Sequence, residues 1–81
     1  MSGLFMVRHG AGDHPVEIAE PMHPLEPGLF MVRSERTLSR LYHAVKRQLP
    51  GDTALLVAPL AGSPKFKCMA PGVLRWLRDA P

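Results

Sequence analysis

A chain of 81 residues allows one small domain and excludes most large enzyme folds. Its residues are 46% hydrophobic and 21% charged, values of a globular chain, and its nine prolines require irregular segments. The net charge of +3 is unevenly placed: residues 1–28 hold one Arg against four carboxylates (−3), residues 29–81 nine Lys and Arg against three (+6).

The first element is an apolar run, Gly3-Leu4-Phe5-Met6-Val7-Arg8, which recurs letter for letter as Gly28-Leu29-Phe30-Met31-Val32-Arg33. An apolar hexamer opened by Gly and closed by Arg reads as a strand buried on both faces. Two copies are too few for a solenoid, so two central strands of one sheet are expected. Between them, residues 9–27 contain Pro15, Pro21, Pro24 and Pro27. That density forbids a regular helix and predicts an irregular connection, with Val16-Glu17-Ile18 as a brief edge strand.

After the second copy, Leu38, Leu41, Tyr42, Val45 and Leu49 fall at helical offsets and predict an amphipathic helix of about eleven residues. Thr37, or alternatively Ser34, supplies its N-cap, and Pro50-Gly51 stops it. Thr53-Ala54-Leu55-Leu56-Val57-Ala58 then reads as a buried strand ended by Pro59. Strand, helix and strand make a crossover, and residues 4–8 are expected to fill the gap it leaves. A loop follows, with a short strand over Lys65–Met69, and a last helix begins near Pro71 with Val73, Leu74, Trp76 and Leu77 inward. The expectation is one domain over residues 1–81, in which a body at 28–79 follows the connection at 9–27. Its class is α+β: a small, mainly antiparallel sheet with two helices on one face, a degenerate ferredoxin-like arrangement. Leu41, Val45, Leu55, Val57 and Trp76 are the expected core.

No apolar run approaches the roughly 18 residues of a membrane span. The one cysteine, Cys68, has no intramolecular partner and points to a reducing compartment. Lys67 beside it favours the thiolate, but the sequence places no base near it. A soluble, cytoplasmic protein is expected, and so small a chain gains from forming a homodimer.

Leu4-Phe5-Met6-Val7-Arg8-His9-Gly10 resembles the opening signature of the histidine phosphatase superfamily. The resemblance implies phosphate binding by Arg8 and phosphorylation of His9. No second His follows His43 to complete such a site. A second resemblance covers the chain from Met22 onward. It runs through His23-Pro24-Leu25-Glu26, Leu29-Phe30-Met31-Val32-Arg33-Ser34 and the helix leucines, then Asp52-Thr53-Ala54-Leu55-Leu56-Val57-Ala58-Pro59-Leu60 and Trp76-Leu77. This is similar to the second half of the SinR-like proteins, small ferredoxin-like domains distantly similar to the CRISPR-associated endoribonuclease-like integration subunit and to VapD-like toxins. The first half departs from that pattern. The nuclease members place an Asp at the end of the first strand, where this chain has Arg8-His9-Gly10, with Asp13 further on.

Three sets of residues are candidates for a site. Arg36, Arg40, His43 and Arg47 fall within about 60° on a helical wheel, opposite the apolar stripe. Arg36, Arg40 and Arg47, with Lys65 and Lys67 around Phe66, could track nucleic-acid phosphates, or they could form solvated and edge-protecting surfaces. His9, Asp13 and His14, with His23 nearby, hold imidazoles and a carboxylate that zinc or nickel could use, but three ligands on one loop without cysteine are a weak signal, and no metal or cofactor is expected. The first functional reading is a non-enzymatic binding or interaction module, with nucleic acid as one partner class. The alternative is a phosphoryl-transfer or phosphodiester-cleaving enzyme using Arg8 and His9 or a loop-bound metal.

Overall fold

A computed structural model describes residues 3–62, 64, 65 and 72–78. Four strands, β1 (Gly3–His9), β2 (Met22–Glu26), β3 (Leu29–Ser34) and β4 (Leu55–Leu60), form one sheet in the order β2-β3-β1-β4. Every neighbouring pair is antiparallel. Two short helices, α1 (Leu38–Lys46) and α2 (Val73–Arg78), complete an α+β arrangement. β1 lies between β3 and β4, which α1 connects, so the crossover straddles β1 as its apolar character requires. This is the strand order of a split βαβ, ferredoxin-like sheet in which a loop at residues 10–21 stands where the first helix would be.

The repeated hexapeptide explains the centre of the sheet. The two copies pair with each other, Leu4 opposite Arg33, Phe5 opposite Val32, Met6 opposite Met31, Val7 opposite Phe30 and Arg8 opposite Leu29. An antiparallel pair of identical sequences centred on Met6 and Met31 has a local two-fold relation. Alternation along each strand then gathers Phe5, Val7, Phe30 and Val32 on one face and Leu4, Met6, Leu29 and Met31 on the other.

Each face has its own cover. Leu41 and Val45 of α1, both fully buried, close the Phe/Val face together with Val16 and Ile18 of the loop. Val73, Trp76 and Leu77 of α2 close the Leu/Met face beside Leu25 and Met31. The two helices therefore lie on opposite faces, correcting the expectation of two helices on one face. The connection without a helix shares the α1 face, and the terminal helix takes the side that periodicity leaves apolar on both copies of the repeat. The hexapeptides differ only through this cover. Arg8 is exposed, whereas Arg33 is half-buried with its guanidinium 4.9 Å from the centre of the Trp76 ring.

The proline-rich connection is shorter than residues 9–27, because β2 occupies its end, and Val16–Ile18 form no strand. Pro59, expected to end its strand, lies within β4, and Pro24, expected in the irregular connection, lies within β2. Both strands are at the sheet edge, where an outward-facing nitrogen needs no hydrogen. The edge position also leaves Leu55 and Val57 only half-buried, with Trp76 half-buried on the other face, and Leu56 is 59% exposed. α1 begins as expected: Thr37 is its N-cap, and its hydroxyl accepts the Arg40 N–H at 3.3 Å. The helix ends at Lys46, before Leu49, and Leu38 at its exposed start contributes little to the core. The expected strand over Lys65–Met69 lies outside the described residues from Phe66 onward, as do Lys67, Cys68, Pro71 and the side chain of Leu74.

Candidate functional site

The residues around the end of β1 line an open cleft with a volume of about 410 Å³. Three segments meet here: the end of β1 with the loop behind it, the edge strand β2, and the β2–β3 turn. Val16, Met22, Leu29 and Phe30 provide apolar walls, with Pro24 and Pro27 beside them. His9, Asp13, His14 and Glu26 are its polar lining among the described residues, where no Lys or Arg occurs.

The turn is built around Gly28. Its φ of +81° belongs to the left-handed region, and a Cβ there would sit 2.5 Å from the His9 carbonyl oxygen. That approach lets the Gly28 carbonyl accept the His9 N–H at 2.8 Å, tying the end of β1 to the hairpin. The loop is tied from the other side by Gln48, just past α1. Its side-chain amide donates to the Glu17 carbonyl and its oxygen accepts the Glu17 N–H, both at 2.6 Å, an imitation of a strand partner. The same amide also donates to the Ala44 carbonyl at 3.1 Å. His14 Nε2 meets the Gln48 carbonyl oxygen at 2.8 Å. At the far end of the loop, Glu20 accepts the Ser34 hydroxyl at 2.8 Å and pairs with Arg36 at 2.6 Å. A loop with no regular structure is thus held at both ends and by two apolar side chains.

His9 is 6% exposed and its ring meets Phe30 edge-on, with centroids 6.2 Å apart. The Ala11 N–H donates to His9 Nδ1 at 3.1 Å. An Nδ1 that accepts carries no hydrogen, so in the neutral ring the proton resides on Nε2. Nε2 is then a hydrogen-bond donor and lacks the lone pair that attack on phosphorus requires. Among the described residues it has no hydrogen-bond partner.

Arg8, next in the chain, emerges on the opposite face of the sheet and lies outside this cleft. It meets His9 only along a hollow of about 280 Å³, beside Gly10, Ala54, Leu55 and Leu56. His23 lies against Trp76 on the α2 face, with ring centroids 5.7 Å apart, and does not join His9, Asp13 and His14. Among the described residues no three His, Cys, Asp or Glu side chains are arranged to hold a metal ion. His9, Asp13 and His14, grouped as candidates from the sequence, all line this cleft, whereas Glu26, which also lines it, and Gln48, which ties the loop, are not among the sequence candidates. Glu26 is legible only once Pro27-Gly28 is taken as a hairpin turn, and no local signal marks Gln48.

The basic set is divided. Arg36 precedes α1 and is held by Glu20, so it does not extend the helix face. Arg40, His43, Lys46 and Arg47 are exposed, and α1 carries no acidic residue. Arg47 Nε donates to the His43 carbonyl at 3.3 Å, and the Lys46 ammonium lies 5.9 Å from the Tyr42 ring. Lys65 is exposed. Among the described residues no helix is long and apolar enough to cross a membrane. No family model, curated protein or solved structure matches the chain.

Proposed function

We propose that this protein is a non-enzymatic binding module that receives a small ligand in the cleft at the end of β1. The observation that carries the reading is the cleft's construction: apolar walls around about 410 Å³, within the usual range of small-molecule sites, and a buried His9 whose proton is directed to Nε2. The phosphoryl-transfer alternative fits the same residues less well. Phosphate would meet two carboxylates, Asp13 and Glu26, and no cation among the described lining residues, while Arg8 stands on the other face. The reading is tested by titrating inorganic phosphate against ¹⁵N-labelled protein and by assaying aryl phosphates. Unmoved resonances over residues 8–14 and no turnover are expected. Turnover abolished by His9→Ala and retained in His43→Ala would overturn it.

A second reading, contact with nucleic acid, is favoured by one separate observation, the exposed Arg40, His43 and Lys46 on α1, a helix without an acidic residue. Arg40 and Arg47 stand two turns apart, about 10 Å along the axis, with Lys46 beside them. Kinship with the SinR-like proteins is proposed for the fold alone, supported by the ferredoxin-like strand order.

A further inference from the structure

We infer that the cleft selects an apolar amine that also carries a hydrogen-bond acceptor, of which a hydrophobic α-amino amide is the simplest example. The inference rests on the binding-module reading and specifies its ligand. Three features of the cleft define the chemistry. Val16, Met22 and Phe30 offer apolar surface for a side chain of aromatic size. The only formally charged groups among the described lining residues are the exposed carboxylates of Asp13 and Glu26, which favour a cation and oppose an anion. His9 is more than nine-tenths buried and is one of the residues lining the cleft, and its Nε2–H has no acceptor among the described residues. That donor is open to solvent, and a ligand acceptor would take it in place of water.

His14 does not alter this assignment, since its Nε2 is engaged by the Gln48 carbonyl oxygen. An α-amino amide carries all three complements on neighbouring atoms: an apolar side chain, an ammonium and a carbonyl oxygen. The carbonyl would accept from His9, the ammonium would lie toward the carboxylates, and the side chain would fill the apolar walls. In solvent-exposed surroundings a carboxylate about 4 Å from an ammonium contributes on the order of 1 kcal/mol, or roughly fivefold in affinity.

Four probes with one phenyl group test this, titrated at about pH 7, where α-ammonium groups remain largely protonated, against ¹⁵N-labelled protein. Phenylalaninamide should shift the amides of His9, Val16 and Phe30 saturably and bind about fivefold tighter than neutral 3-phenylpropionamide. The anion 3-phenylpropanoate should bind weakest. In the Asp13→Asn, Glu26→Gln double variant the preference for the amine should vanish while the neutral amide binds as before. 3-Phenylpropionamide binding in the cleft as tightly as phenylalaninamide would overturn the cation preference and leave the binding module standing. 2-Phenylethylamine binding as tightly as phenylalaninamide would overturn the acceptor on His9. No saturable shift at these residues with any of the four would overturn the cleft reading itself.

Discussion

Replacing Gly28 by alanine tests how the end of β1 is held to the β2–β3 turn, because the structure supplies a matched control. Gly28 and Gly12 both have positive φ, +81° and +61°. A Cβ at Gly12 would have no atom within 4 Å, whereas at Gly28 it would overlap the His9 carbonyl oxygen at 2.5 Å. Gly12→Ala therefore incurs only the left-handed conformation, about 1 kcal/mol. Gly28→Ala incurs the same cost and must also move backbone against backbone. The movement breaks the His9 N–H to Gly28 carbonyl bond, about 1 kcal/mol, and disturbs the packing around it. The total is roughly 3 kcal/mol, about 2 more than for Gly12→Ala. The restriction of the unfolded chain by alanine is common to both and cancels in the comparison. Urea unfolding of the two variants, with equal m-values, measures the difference directly. Equal destabilisation would refute the close approach of Gly28 to His9, and with it the stated construction of the cleft wall.

Leu41 is fully buried between α1 and the sheet, so Leu41→Ala should cost about 2–4 kcal/mol, a large share of the roughly 4–12 expected for this length; an unchanged thermal midpoint would contradict the packing of α1. Gln48→Ala removes both hydrogen bonds to the Glu17 backbone and should cost about 1–2 kcal/mol, with hydrogen exchange accelerated at Glu17 and unchanged in β1. Uniform acceleration would show that Gln48 supports the whole fold, not the loop. If Arg40, Lys46 and Arg47 contact phosphates, the affinity for a mixed-sequence duplex should fall with a log–log salt slope of about −2 to −3, and Arg40→Ala should flatten it by about one. No binding at low salt would assign α1 a solvated face.

Much of the sheet is legible in the sequence for reasons that can be named. The repeat marks its two central strands because only a strand covered on both faces stays apolar at successive positions. The crossover then demands a strand between β3 and β4, and β1 is that strand. Thr37 and the spacing of Leu41 and Val45 locate α1. The edges are harder to read. Pro24 and Pro59 argue against strands in general but not at a free edge, which local sequence does not reveal. The placement of α2 also escapes periodicity, since an apolar stripe does not say which face of a sheet it meets. Within the site, His9, Asp13 and His14 are close in sequence and line the same cleft. The walls from Met22 and Phe30, the Glu26 carboxylate and the Gln48 clasp depend on tertiary contacts that no local pattern encodes.

The claim on which the functional account turns is that His9 serves as a fixed donor in a binding cleft and not as a nucleophile. The ring-nitrogen resonances of His9, read from a long-range ¹H–¹⁵N spectrum at a pH where the ring is neutral, test it most directly. The Ala11 N–H on Nδ1 predicts a pyridine-like Nδ1 and a pyrrole-like, protonated Nε2. The reverse pattern, with the proton on Nδ1 and a free lone pair on Nε2, would contradict the account and return His9 to the phosphoryl-transfer reading.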